Sequence, residues 1–137
     1  LREPQTLAKG PQHWFIASGW RSPGAKPLPV PRKLELNKPA KFNFDLASPR
    51  GDARVRIQAD TNLTGTEWTA SFNGEAIAAT ADVSEPFGVP YPSMLAKPEE
   101  LRAWLVPAQL LREGKNSLEV TLKSGKPMTV LFVDLAC

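Results

Sequence analysis

Asn73-Gly74 stands between two short runs, Trp68 to Phe72 and Glu75 onward. A type I′ turn needs positive φ at both central residues, and Asn-Gly supplies that pair with little strain. The chain is therefore expected to reverse there as a β-hairpin. A period of two recurs on either side. In Lys41 to Leu46, Phe42, Phe44 and Leu46 fall on one face, and Lys41, Asn43 and Asp45 on the other. In Ala53 to Ala59 the same rule points Val55 and Ile57 inward and Arg54 and Arg56 outward. Trp68, Ala70 and Phe72 share a face, as do Leu118, Val120 and Leu122. Met128 to Leu135 is apolar on both faces for much of its length, which suits a central strand. No stretch keeps a helical period for ten residues. About eight or nine strands with turn signals every 8–12 residues predict an all-β sandwich or jelly roll.

Proline sharpens that expectation. The 14 prolines are about twice the average usage, which favours turns over long helices. Four of them fall between Ser22 and Pro31, so that stretch is read as extended rather than regular. The organisation expected is a Pro/Gly-rich N-terminal arm over 1–32, packed on a β-sandwich domain over 33–137. Within the arm, His13 to Ala17 is a candidate first strand. Pro107 to Arg112 reads as one helical turn, with Gly114 as a left-handed cap. Ser84 to Glu99 is the one long irregular stretch. Its Phe87, Tyr91, Met94 and Leu95 predict a compact packed loop rather than a disordered one.

Composition removes several classes of function. The formal charge is +3, and the 17 Lys and Arg are scattered without a run, so no nucleic-acid footprint is expected. No segment of 18 apolar residues is present to span a membrane as a helix. The single cysteine, Cys137, cannot form an internal disulfide. The chain begins at Leu1 without a recognisable signal peptide, and the expectation is a domain cut from a longer, processed protein.

Two patterns lie about 40 residues apart: the strand ending in Phe72-Asn-Gly74, and Leu110 to Val120, which reads Leu-x-x-x-Gly-x-Asn-x-Leu-x-Val. Together they resemble the galactose-binding-like β-sandwich found in accessory domains of glycoside hydrolases. The resemblance covers residues 53–135 reasonably and 1–52 poorly. Its motifs are structural, a turn and a corner. It implies a jelly-roll fold and a secreted or periplasmic setting beside a catalytic domain of the same parent protein. Some members of that group bind carbohydrate, and others only buttress the catalytic domain.

Catalytic constellations are sparse. Glycoside hydrolysis needs two carboxylates facing across a cleft. Most acidic residues here, such as Asp45, Asp52, Glu75 and Glu119, fall on polar strand phases or in turns. Glu99 and Glu100 follow Pro98, where a helical first turn explains them. His13 is the only histidine. It has no Gly-x-Ser-x-Gly elbow to serve and no further zinc ligands near it in sequence, so a structural or exposed role is expected. No cofactor is expected. A structural calcium ion stays open, with Asp60, Asn62 and Asp82 as the available ligands but no Asp-x-Asp-x-Asp loop.

Aromatic residues offer the better lead, because sugar recognition stacks a ring on the apolar face of a pyranose. Trp68, Phe42, Phe44 and Phe72 fit the core phase, as does Trp14. Phe87 and Tyr91 lie in the long loop. If Ala103 and Leu105 face inward, Trp104 and Arg102 face outward together. The candidate binding set is therefore Phe87, Tyr91 and Trp104, with Arg102 as polar partner and Trp20 as outlier. The preferred reading is a non-catalytic carbohydrate-binding accessory module of a secreted polysaccharide-active enzyme. The alternative is a structural β-sandwich that packs on a catalytic domain and binds no small ligand.

Overall fold

The computed structural model describes residues 12–18, 32–84 and 97–137. The proline-rich 22–31 stretch and the centre of the 84–99 loop lie outside the described residues. So do Trp20, Phe87 and Tyr91. Within them the chain is nearly all β. Nine strands run in order: β1 (His13–Ser18), β2 (Arg32–Leu34), β3 (Ala40–Leu46), β4 (Ala53–Ala59), β5 (Glu67–Phe72), β6 (Glu75–Thr80), β7 (Leu101–Val106), β8 (Gly114–Ser124) and β9 (Met128–Ala136). Two short 3₁₀ turns, Pro98–Glu100 and Ala108–Leu110, interrupt them.

Every strand pair is antiparallel, in the order β1-β9-β4-β7-β6-β5-β8-β3, with β2 also on β9. β6 passes from one layer to the other: Ala76 and Ile77 pair with β5, and Ala78 to Thr80 pair with β7. The two ends of the order, β1 and β3, also touch. The result is a nearly closed antiparallel sheet, which leaves little open edge. Arg32 of β2 reaches across the remaining seam to β3. Its Nη1 donates to the Lys41 carbonyl at 3.3 Å, and its guanidinium lies 6.0 Å from the centre of the Phe42 ring.

The expected hairpin is present. Asn73 and Gly74 have φ of 51° and 89°, the pair of positive values that a type I′ turn requires. The core lies between the layers. Phe42, Phe72, Leu118, Val120 and Leu122 from one side meet Val55, Ile57, Trp104, Val106, Val133 and Leu135 from the other, all essentially fully buried. β9 is central, as its two-faced apolarity predicts, with β4 on one edge and β1 and β2 on the other.

Several expectations need correction. Phe44 and Trp68 lie on the inward phase but are only half-buried. Trp68 compensates with an edge-on contact to Trp104, ring centres 6.2 Å apart, and an Nε1–H bond to Thr66 Oγ1 at 2.8 Å. In β7 the phase is the reverse of the one that exposes Trp104. Leu105 is 50% exposed, while Trp104 is 2% exposed and packs in the core. Arg56 does not face solvent at all; it is fully buried. β4 lies between β7 and β9, and both of its faces are covered. Alternation within one strand reports a single buried face and misses the second. On that second face Arg56 stands opposite Ala103 and Asp134, with Leu101, Ala103, Phe132 and Ala136 also buried.

Candidate functional site

The buried charge on the outer face of β4 and β9 is a hydrogen-bonded network. Arg56 forks onto Asp134, with Nε to Oδ1 at 3.0 Å and Nη2 to Oδ2 at 2.8 Å. His13 Nε2 lies 2.7 Å from the same Oδ2. Burial pushes the Asp134 carboxyl up, but the hydrogen bonds from His13 and Arg56 and the Arg56 charge outweigh it. The group is held below the ordinary carboxylate range. Bidentate geometry lets a buried carboxylate and guanidinium remain ionised together. The third arm of Arg56 leads elsewhere. Its Nη1 donates to the carbonyls of Val83 and Ser84 at 2.9 and 3.1 Å.

Those carbonyls stand at the start of the long loop, and Arg54 holds the same segment. Its Nη1 donates to the Asp82 carbonyl at 3.2 Å and pairs with Asp82 Oδ1 at 3.0 Å, while Nη2 donates to the Ser84 carbonyl. Asp82 Oδ1 accepts from the Ser84 amide and hydroxyl, which with Arg54 holds the carboxyl below its ordinary range. The far end of the loop is fixed as well. Lys97 N donates to Glu100 Oε1 at 2.9 Å, and Leu63 N donates to the Glu99 carbonyl at 2.7 Å. Arg102 donates to the carbonyls of Leu63 and Leu101.

Between these anchors lies a depression of about 390 Å³, lined by Thr64, Thr80, Val83, Glu99, Leu101 and Arg102. Of the sequence-predicted site residues, the structure thus places Arg102 beside the base of the loop. Trp104 is not there. Its ring is in the core and offers no face to a ligand. Trp20, Phe87 and Tyr91 fall outside the described residues.

A larger depression, about 520 Å³, lies at the opposite end of β5, lined by Asn43, Phe44, Asp45, Arg112, Lys115 and Ser117 together with Asn73 and Asn116. Thr64 precedes β5 and Asn73 follows it, so a six-residue strand separates the two hollows by roughly 20 Å. Sequence reasoning did not find this second hollow. Its residues come from two strands, a hairpin turn and a corner, and the β3–β8 register brings the strand residues together.

The three residues available as calcium ligands are engaged in local bonds. Asp60 Oδ1 accepts from Thr129 N, Asn62 Oδ1 from Thr64 N, and Asp82 from Ser84. Among the described residues no three His, Cys, Asp or Glu side chains gather as a metal site. The Arg56–Asp134 pair was also missed, although a signal exists. Asp134 is the one charge in Met128 to Ala136, and a carboxylate in a strand buried on both faces demands a cation opposite.

No protein-family model matches the sequence, and no curated protein does. Solved structures do match in fold. A β-porphyranase of glycoside hydrolase family 86 from the human gut bacterium Bacteroides plebeius superposes with a TM-score of 0.58 over 92% of this chain, at 15% identity. The match covers 20% of that enzyme's chain. The family 86 structure BuGH86, solved in complex with neoagarooctaose, gives a TM-score of 0.46 at 14% identity, over 76% of this chain and 16% of the other. This chain therefore shares the fold of a small all-β part of a glycoside hydrolase and spans about a fifth of its length. Among the described residues no helix is long and apolar enough to cross a membrane.

Proposed function

We propose that this chain is a non-catalytic accessory module of a larger polysaccharide-active enzyme, a galactose-binding-like jelly roll that holds oligosaccharide beside a catalytic domain. The observation that carries the reading is one of proportion. Nearly the whole chain matches a piece one fifth the length of a glycoside hydrolase, which is what an accessory module amounts to. The setting that goes with this reading is secreted or periplasmic, where extracellular polysaccharides are met. On the loop side, Phe87 and Tyr91 are the proposed stacking residues, with Trp20 as a further ring. Arg102 is the polar partner at the loop's base. Anchoring both loop ends reduces the entropy lost when such a loop holds a ligand. The test is affinity electrophoresis of the chain through gels containing single polysaccharides. Retardation that Tyr91→Ala abolishes without lowering the melting temperature supports the reading.

One observation favours a second reading, a module that only packs on its catalytic neighbour. Leu105 and Ala78 are paired across β7 and β6, and both are exposed. Such an apolar surface suits a domain interface. Free migration through every gel, together with loss of parent-enzyme stability on Leu105→Glu, supports this alternative instead.

A further inference from the structure

We infer that the hollow at the Asn73 end of β5 is a saccharide subsite selective for a sugar unit bearing an anionic group, an inference that rests on the carbohydrate-binding reading above. The register of β3 and β8 sets Asn43 opposite Ser117 and Asp45 opposite Lys115. That lays an amide, a hydroxyl, a carboxylate and an ammonium side by side on one surface. Arg112 adds a guanidinium from the corner before β8. Asn43, Asp45, Arg112 and Lys115 are exposed. Among the described residues neither Arg112 nor Lys115 makes a side-chain ion pair.

The hollow is built on rigid supports. Asn116 accepts from Arg112 N at 3.0 Å and donates to the Arg112 carbonyl at 2.9 Å, so the Arg112 side chain leaves from a fixed point. Phe44 is half-buried and held edge-on by Phe72, ring centres 5.8 Å apart. Its ring lies on the inward phase of β3, behind the surface that carries Asn43 and Asp45, and backs the hollow from the core side. Asn73 and Asn116 spend their side chains on the corner itself and shape the wall. The volume, about 520 Å³, falls in the range of small-ligand sites, about 300–1,000 Å³.

Charge then selects the ligand. Two cations and one carboxylate line the hollow, and the fork of Arg112 matches the oxygens of a carboxylate or a sulfate ester. A bare inorganic anion has no use for Asn43 and Ser117, and Asp45 repels it. A sugar unit uses all of them: hydroxyls on Asn43, Asp45 and Ser117, and its acidic substituent between Arg112 and Lys115.

The test is calorimetric titration of the chain with oligosaccharides of one backbone, either neutral, sulfated or carrying uronic acid. We expect an acidic member to bind at least about tenfold more tightly than the neutral one, with affinity falling as salt rises. Arg112→Ala and Lys115→Ala should each weaken that binding about tenfold or more without changing the melting temperature. Lys126→Ala, an exposed cation in the β8–β9 turn, should not. Which acidic member binds identifies the anion as sulfate or carboxylate. If an oligosaccharide binds but both variants keep full affinity, the subsite is overturned and the carbohydrate reading stands. If the neutral member binds equally well, the anion selectivity is overturned. If none of the three binds, the subsite and the carbohydrate reading fall together.

Discussion

Asn73 donates through Nδ2 to Asn116 Oδ1 at 2.9 Å, joining a hairpin turn to a corner 43 residues further along the chain. The bond links two motifs that sequence reading could only note as neighbours in a pattern. Asn73 Oδ1 also accepts from Ser117 N at 2.8 Å, and its Nδ2 from the same amide reaches the Leu110 carbonyl at 2.7 Å. Asn116 closes on the carbonyls of Arg112 and Gly114. Each side chain thus stands in for backbone partners that an irregular corner lacks.

The first prediction follows from that bond. Asn116 is 4% exposed, so Asn116→Ala leaves buried backbone groups unsatisfied and should cost about 2–4 kcal/mol. Asn116→Asp keeps the acceptor and loses both donations, and it should also destabilise. Urea denaturation of both variants checks the claim. A loss near zero for Asn116→Ala would show that the corner holds without its asparagine.

Most of the inner core was legible because alternation there has a single cause. Phe42, Val55, Ile57, Phe72, Leu118, Val120 and Leu122 are all buried as their phase demands. The reading failed where a second layer of contacts acts on the same strand. β4 is covered on both faces, so Arg56 follows Asp134 rather than solvent. In β7 the phase hinged on two small or apolar residues, Ala103 and Leu105. Trp104 outweighs both, since burying an indole removes more apolar surface from water than burying a leucine. The Arg112–Lys115 hollow was not legible for another reason. Its residues lie on separate strands, and their adjacency depends on a register that no single strand's pattern contains.

The second prediction concerns the buried pair. Arg56→Met leaves Asp134 charged and buried beside His13 alone, and should cost about 3–5 kcal/mol. Arg56→Met combined with Asp134→Leu removes the stranded charge and should cost clearly less than the sum of the two single changes. The residual loss includes the bonds to Val83 and Ser84, whose carbonyls lose the Arg56 donor. A thermodynamic cycle from chemical denaturation reads the coupling directly. Strict additivity would sink the idea that the two side chains act as a unit.

The third prediction is the acid limb of stability. The folded-state pKa of Asp134 is depressed below its unfolded value, which lies near about 3.9. Its contribution is therefore fully present above that value and is lost as pH falls through the folded one. Asp134→Asn should lower stability at neutral pH. It should also flatten the fall in stability below about pH 4 relative to the parent chain. Parallel acid limbs in the two proteins would place the titrating group elsewhere.

The fourth prediction separates packing from binding at Trp104. Trp104→Ala empties a core site between β4 and the Trp68 ring and should cost about 3–5 kcal/mol. Trp104→Phe should cost less and leave any saccharide affinity unchanged. A large affinity loss in Trp104→Phe at unchanged stability would return this residue to the binding surface.

The last prediction is that the isolated chain releases no reducing ends from any polysaccharide. Retaining and inverting mechanisms both set two carboxyl groups across the scissile bond, about 5–9.5 Å apart. Among the described residues, the Asn73-end hollow is lined by one carboxylate, Asp45, and the loop-side hollow by one, Glu99. The roughly 20 Å length of β5 lies between the two hollows, too far for the two carboxylates to share a substrate bond. Asp134, the one buried carboxylate among the described residues, is committed to Arg56 and His13. A reducing-sugar assay on neutral and acidic polysaccharides is the check. Turnover that disappears with Asp45→Asn or with Glu99→Gln would overturn the assignment and make this small all-β chain an enzyme in its own right.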